Sequence, residues 1–486
     1  MIAKLAVYIE TMLKTRRTSF DRFSNLPDHV AHNVLSFLSM EDISRLCVVS
    51  KRCRQLCISI PILNVDSRRY GNNATKRSKL ASYLDRFLLL RKGMEIQRCF
   101  LRWFLSNSLF DDQYRILSWL HNAVNCNAEL LDVEISFERE ANFPLQASLL
   151  CCESLRFLKV SLLNGILKFP SSITTFGFSS LQTLSMKSVE INESFGKWVS
   201  LYCKFLKDLS LENIKGTKSI NITSSSLEIL KILSPGHDVC HVNVSAESLL
   251  RMALRWRFDS PNNRVLQLSA PKLICFFWEG NISNFSFKGD FAHLVTAGIF
   301  FRTPSESSSL ITQSLLGVLR GLGNTKVVAL HDKCIQVLFK QGCLPTLFVC
   351  LSTLYVFTSG ISDELVLALP FLLAGAPNLR RLFICSKFMS GYLNGIKEVH
   401  RETVGCWELQ DLIFIRNLKS VTIELISEGR NELELIKHLL KHATNLQRMT
   451  VFYAPSLQSD VIRRISQYEK ASDAQLIFHY KAFDFC

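Results

Sequence analysis

The feature that most constrains this chain is a short apolar motif, L-x-x-L-x-L, that keeps returning. It is read in ELLDVEI (129–135), SLRFLKV (154–160), SLQTLSM (180–186), FLKDLSL (205–211), SLEILKI (226–232), SLLRMAL (248–254) and KLICFFW (272–278). Aligned on Leu130, Leu155, Leu181, Leu206, Leu227, Leu249 and Leu273, the copies lie 25, 26, 25, 21, 22 and 24 residues apart. Each copy supplies one short strand and a return connection. Burying its three apolar side chains is worth roughly 5–9 kcal/mol, less than the conformational entropy of ordering the whole unit. One copy therefore cannot stand alone, whereas a stack can.

A period in this range belongs to leucine-rich repeats. The expected fold class is α/β, with a curved leucine-rich-repeat solenoid that carries parallel strands on its concave face. In SLQTLSM the core takes Leu181, Leu184 and Met186, which leaves Gln182 and Ser185 facing out. The equivalent outward pairs are Arg156 and Lys159, Lys207 and Ser210, Glu228 and Lys231, and Leu250 and Ala253. The polar members of this set are the expected target-binding surface. Variable spacing predicts convex connections that alternate between short helices and loops, and the asparagine ladder of regular repeats is mostly missing.

Beyond 291 the register is harder to follow. FAHLVTAGIFF (291–301), NTKVVALH (324–331), LSTLYVFT (351–358) and NLRRLFIC (378–385) still read as strands. SSSLITQSLLGVLRGL (307–322) and SDELVLALPFLLAGA (362–376) read as intervening helices, the second started at Ser362 or Asp363 and ended near Gly375. A solenoid needs its last strand covered. LKSVTIELI (418–426), the helix NELELIKHLLKHA (431–443) capped by Asn431, and NLQRMTVFY (445–453) have that strand-helix-strand pattern.

Ahead of the repeats, FSNLPDHVAHNVLSFLSMEDISRLCVVSKRCRQLCISIPI (23–62) packs three helix signals into a short stretch. Pro27 and Asp28 open helix one, with Val30, Val34, Leu35 and Leu38 at helical spacing. Ser39 and Asp42 form a capping-box variant ahead of Ile43, Leu46 and Cys47. Ser50 caps a third helix whose Cys53, Leu56, Cys57 and Ile60 share a face, and Pro61 closes it. Three helices this short leave apolar surface uncovered, so the unit reads as half of an interface.

The order Leu26-Pro27, LSFLSMEDISRL (35–46), VSKRCRQL (49–56), SIPILNVD (59–66) resembles the F-box of plant F-box proteins. The C-terminal stretch, with Cys406-Trp407, Gly429 and NELELIKHLLKHATNLQRMTV, resembles the FBD domain that follows F-box and leucine-rich repeats in that family. The resemblance implies an N-terminal extension at 1–22, an F-box at 23–63, a basic connector at 64–95, the solenoid at 96–404 and an FBD-like cap and tail at 405–486. It also implies a non-catalytic substrate receptor of an SCF-type ubiquitin ligase. The F-box would dock on a Skp-type adaptor, and through it a cullin, by Leu26, Pro27, Leu35, Leu38, Leu46, Ser50, Lys51 and Arg52. The solenoid would hold an unknown target protein. Cys53 and Cys57 stand where the family usually has tryptophan, and Ser39 where it usually has proline. Restoring both tryptophans is expected to tighten adaptor binding. The alternatives are a repeat scaffold that does not assemble a ligase, or a basic solenoid that binds anions or nucleic acid.

Composition bears on these alternatives. Of a net charge of +15, +11 falls in residues 1–102, which hold 19 Lys/Arg against 8 Asp/Glu. Without aromatic interleaving or a nucleic-acid motif, this reads as a solvated basic connector and argues against nucleic-acid binding. The 48% hydrophobic content and 34 phenylalanines leave only the ends and about 66–79 as candidates for disorder. The 16 cysteines follow no regular spacing and no signal peptide is evident, so reduced thiols and a cytoplasmic or nuclear location are expected. The uncharged run from Gln341 to Ser362 is interrupted by Gly342, Pro345 and Gly360 and is not expected to span a membrane. PGHDVCH (235–241) crowds His237, Asp238, Cys240 and His241, but no second ligand pair matches its spacing. RGLGNTK (320–326) lacks the third glycine of a nucleotide loop. No cofactor, metal site or catalytic residue is expected.

Overall fold

The computed structural model of the chain describes residues 23, 25–71, 73–106, 110–145, 147–170, 178–258, 264–281, 284–287, 291–301, 309–340, 342, 348–385, 413–425, 430–453 and 458–480. The chain divides into two compact units, Met1–Ser188 and Val189–Cys486.

The first unit opens with α1 (Asp28–Leu35), α2 (Met40–Leu46) and α3 (Lys51–Ile58). The caps follow the sequence reading. Ser39 Oγ accepts the Asp42 amide and donates to the Asp42 carboxylate, and Ser50 Oγ accepts the Cys53 amide at 3.0 Å. Helix one is shorter than its apolar spacing suggests, because Leu38 lies beyond its end. Ala31, Leu35, Met40, Ile43, Cys53, Leu56, Cys57 and Ile60 form the small core of the three helices, each no more than 3% exposed.

The stretch expected to be a solvated connector is folded. β1 (Ile62–Asp66) pairs in parallel with β2 (Arg98–Leu105), and between them runs α4 (Ala74–Arg91), whose Asn73 side chain caps it through the Lys76 amide. Leu80, Leu84, Phe87 and Leu88 are buried at helical spacing. Two of the supposed surface cations are buried as well. Arg77 donates to Ser106 Oγ and stacks its guanidinium over Phe104 at 5.0 Å, and Arg91 donates to backbone carbonyls.

α5 (Phe110–Asn125), β3 (Leu130–Pro144), α6 (Ala147–Leu150), β4 (Phe157–Lys168) and β5 (Thr183–Glu190) complete the first unit's elements. β1 to β4 pair in parallel and in chain order, with Val65, Leu101, Val133 and Val160 in one inward row. The register corrects one alignment. Leu130 pairs with Phe157, so the residue matching Leu155 is the fully buried Ala128.

The second unit runs α7 (Phe195–Tyr202), β6 (Asp208–Lys215), β7 (Ser219–Ser224), β8 (Ile229–Pro235), β9 (His241–Ala246), β10 (Arg251–Trp256), β11 (Val265–Ser269), β12 (Cys275–Gly280), β13 (Asn284–Phe287) and β14 (Thr296–Phe301). It continues through α8 (Ser309–Gly321), β15 (Val327–His331), α9 (Asp332–Lys340), β16 (Thr353–Phe357), α10 (Asp363–Ala374), β17 (Arg381–Cys385), a 3-10 turn (Ile413–Asn417) and β18 (Ser420–Glu424). α11 (Arg430–His442), β19 (Arg448–Tyr453), α12 (Gln458–Ser466) and β20 (Gln475–Tyr480) end it. The main parallel sheet places Leu209, Leu230, Met252, Phe276, Ala297, Val328, Leu354, Leu382, Val421, Met449 and Leu476 in one inward row.

The return connections were expected to be helices or loops, yet β7, β9, β11 and β13 form a second parallel sheet. The repeats here are the short ones. A repeat of 21 or 22 residues has too little chain for a strand, a two-turn helix and two loops, and SINIT, HVNVS and VLQLS alternate apolar and polar as strands do. Where repeats lengthen, α8, α9 and α10 replace the second sheet. The Ser362 side chain caps α10 through the Leu365 amide, and Gly375 ends it.

The expected cap also changes. Asn431 lies inside the first turn of α11 and donates to Ile361 O and Asp363 Oδ1, both at 2.9 Å, so it is a strut to the α10 start and not a helix cap. The strand at 448–453 does not close the sheet, because β20 pairs with it in parallel. Cys406, Trp407 and Gly429 lie outside the described residues. No helix among the described residues is long and apolar enough to cross a membrane.

Candidate functional site

Two surfaces bear on function: the outside of the three-helix unit and the outward face of the strands. On the first, large apolar side chains meet solvent. Phe37 is 89% exposed, Val48 85% and Val49 70%, and Val34 on α1 is exposed as well. Phe37 lies in the turn between α1 and α2, and Val48 and Val49 in the turn between α2 and α3. Each turn runs directly into a side-chain cap, Ser39 after Phe37 and Ser50 after Val49, and its apolar side chains stand in solvent.

Of the residues expected to contact an adaptor, Pro27 and Lys51 are exposed, and Leu26, Leu38 and Leu46 are half-buried. Leu35 is a correction: it is wholly buried inside the three-helix core and offers no surface. Ser50 is spent on capping α3. Arg52 pairs with Asp28 and donates to Leu26 O at 3.4 Å, which ties α3 to the start of α1. Motif position could not find Val34, Phe37, Val48 and Val49. Their signal is an apolar residue that the helical period leaves unexplained.

Cys53 and Cys57 are likewise inside the core, 3% and 0% exposed. Tryptophan at either site would add a large ring to a close-packed core. Tighter adaptor binding with tryptophan at both sites therefore requires the core to repack around the two rings.

On the strands, the expected pairs split. Lys159, Ser185, Ser210 and Lys231 lie on the outward face. Arg156, Gln182, Lys207 and Glu228 lie one residue ahead of their strands, in lead-in turns stitched by backbone bonds. The Glu129 carbonyl takes the amides of Arg156 and Phe157, and the Lys207 carbonyl takes those of Glu228 and Ile229, at 2.8–3.0 Å. Leu250 and Ala253 follow the same division.

Several charges on this face are paired from one strand to the next. In the first unit Asp132 lies 3.6 Å from Lys159 and 3.7 Å from Arg102, and Glu134 meets Arg68 at 2.9 Å. In the second, Lys207 meets Glu228 at 3.0 Å, and Glu279 takes both Arg255 and Arg257. Arg68, Arg77, Arg91 and Arg102, four of the cations behind the N-terminal charge excess, are therefore engaged within the protein.

From β12 to β17 the outward face is aromatic. Phe300, Ala329 and Phe357 form a buried cluster with Phe277, Tyr355 and Cys385 packed against it. Phe300 and Phe357 lie 5.3 Å apart, and Tyr355 stacks on Phe383 at 4.4 Å. Gly298 makes this possible, since a Cβ there would sit 2.4 Å from the Phe277 ring. The PGHDVCH segment is a turn between β8 and β9 whose His237 and Val239 carbonyls are taken by Arg264. Among the described residues no group of three or more His, Cys, Asp or Glu is placed to hold a metal ion.

The helical unit coincides with a match to the F-box domain family over residues 23–64. A second family, described as "FBD-associated F-box protein At5g56370, LRR repeats", matches residues 116–288. The chain carries an F-box and FBD-associated leucine-rich repeats. Relatives from Arabidopsis thaliana are named for an F-box and LRR repeats, one of them for FBD as well. F-box/LRR-repeat protein At3g59190 is 25% identical over 75% of this chain and 92% of its own. F-box/LRR-repeat protein At4g14096 is 23% identical over 93% and 92%, and the chain named F-box/FBD/LRR-repeat protein At4g03220 is 24% identical over 94% and 95%.

Proposed function

We propose that this chain is the non-catalytic substrate receptor of an SCF-type cullin ubiquitin ligase, working in the cytoplasm or nucleus. The F-box docks on a Skp-type adaptor, and the repeats hold a target protein. The observation that carries the reading is the display of Phe37, Val48 and Val49 on a unit that matches the F-box and whose own core is complete without them. Apolar side chains held out at fixed turns gain free energy when a partner covers them, about 25 cal/mol per Å² of buried apolar area. Proximity supplies the mechanism. Holding a target beside the ligase raises the effective concentration of its lysines at the transfer site, with no covalent step on this chain.

The test is co-expression of the full chain with a Skp-type adaptor. A stable complex is expected, and Phe37→Asp with Val49→Asp should abolish it while the circular dichroism spectrum stays unchanged. A folded wild-type chain that forms no complex would overturn the reading.

A further inference from the structure

We propose that the strand starts of β16 to β20 form a groove for an Asp/Glu-rich segment of the target, an inference that rests on the receptor function above. Three repeats here share one motif: Asn378-Leu379-Arg380-Arg381, Asn417-Leu418-Lys419-Ser420 and Asn445-Leu446-Gln447-Arg448. Their leucines are buried, and each asparagine side chain donates to a carbonyl of the preceding repeat: Val349 O at 2.9 Å, Pro377 O at 2.8 Å and Arg416 O at 2.7 Å. This is the asparagine ladder that the earlier repeats lack, where Ser154 and Ser226 donate in its place. It holds the two residues that follow each leucine at one height, and four of those six, Arg380, Arg381, Lys419 and Arg448, are cationic.

Arg380, Arg381, Lys419 and Arg448 are exposed and line an open groove of about 520 Å³ whose other walls are serine and glutamine. Among the described residues, none of the four is paired with a carboxylate, whereas Arg102, Lys159, Lys207 and Arg255 of the earlier repeats are. Arg381 is oriented by its Nε–H donating to Thr353 Oγ1 at 3.0 Å. One pleat further along, the stacked rings of Tyr355 and Phe383 give an apolar floor.

The spread of charge selects the ligand. The Lys419 amide bonds the Arg380 carbonyl, so these two cations stand on adjacent repeats, while Arg381 and Arg448 flank Ser420. With strands about 4.8 Å apart, the cations extend over roughly 10 Å and do not converge on a point. That suits a row of single carboxylates on an extended peptide, with an apolar residue on the Tyr355–Phe383 floor, better than one phosphate dianion. Arginine forks bind carboxylates bidentately.

The test is fluorescence anisotropy of a fluorescein-labelled Asp/Glu-rich peptide with a central leucine, titrated with the full chain alone and with its adaptor bound. Saturable binding is expected. Arg380→Glu with Arg448→Glu should weaken it at least about tenfold, Arg380→Gln alone should weaken it several-fold, and Lys437→Glu on the outside of α11 should leave it unchanged. No binding, indifference to the groove variants, equal weakening by Lys437→Glu, or tighter binding of a phosphorylated peptide or single-stranded RNA would each overturn the proposal. Adaptor co-purification is scored separately, so loss of the adaptor complex refutes the ligase reading without deciding the peptide result.

Discussion

Arg91 offers the sharpest test of how the F-box is joined to the first repeats. Its guanidinium is wholly buried, and it donates to Ile58 O, Ile60 O and Glu95 O at 2.7 Å and to Met94 O at 3.4 Å. These carbonyls come from the end of α3, the approach to β1 and the loop before β2, so one side chain closes three chain segments. Burial draws its pKa down to about 10 from an ordinary 12.5, a charging cost of about 3 kcal/mol. Arg91→Met removes that cost but strands three close carbonyls, each worth about 1–3 kcal/mol when left without a donor. At about 2 kcal/mol per carbonyl the expected net loss is about 3 kcal/mol. Arg91→Lys, a single ammonium that cannot span all three segments, should lose less. Urea unfolding measures the loss, and amide exchange should show α3 and β1 opening before β3 and β4. A loss below about 1 kcal/mol with α3 exchange unchanged would refute the reasoning.

Cys57→Trp should destabilise the F-box by about 1–3 kcal/mol through overpacking, read as a lower melting temperature; a variant as stable as wild type would show spare volume beside α3. Glu432 accepts the Ile361 amide at 2.8 Å, yet burial raises its pKa above the ordinary 4.5. A raised acid contributes stability that is present below its unfolded value and lost as pH rises through its folded one. Glu432→Gln, which keeps the acceptor oxygen, should therefore melt higher than wild type at pH 7 and show no such gain at pH 4. Gly298→Leu should push the Phe277 ring off the sheet face and lower the melting temperature; unchanged stability would mean that the aromatic rows do not need the gap.

The repeat fold was legible because the inward row recurs whatever the connections do. Spacing located the strands from Leu155 onward, and failed at Leu130 because Ala128 is too small to mark a repeat start. α4 was missed although Leu80, Leu84, Phe87 and Leu88 keep helical spacing. Its many cations suggested solvent, and a sequence does not show that Arg77 and Arg91 are swallowed by backbone and ring partners. Past residue 291 the outward rows carry Phe300, Tyr355, Phe357 and Phe383. With both faces apolar, the period-two alternation that reveals a half-buried strand disappears. The caps at Ser39, Ser50 and Ser362 were readable since they depend on neighbours three residues away.

The surfaces were less legible for a related reason. In a parallel solenoid the partner of an outward charge is on the next strand, one repeat away in sequence, so a cation's freedom depends on register. Lys159 and Lys207 look as available in sequence as Arg380 and Lys419, yet Asp132 and Glu228 hold the first two. The early repeats include neighbouring strands of opposite charge, whereas the rows through Arg380, Arg381, Lys419 and Arg448 set cations beside one another or beside serine, threonine and glutamine only. Net charge therefore misdirects, since the excess in the first hundred residues is partly consumed by folding. A cluster of unpaired cations lies instead near the other end of the chain, where asparagine ladders hold it in place. A solenoid can in this way keep one backbone pattern throughout and change its binding chemistry by altering a single outward row, without cost to the inward one.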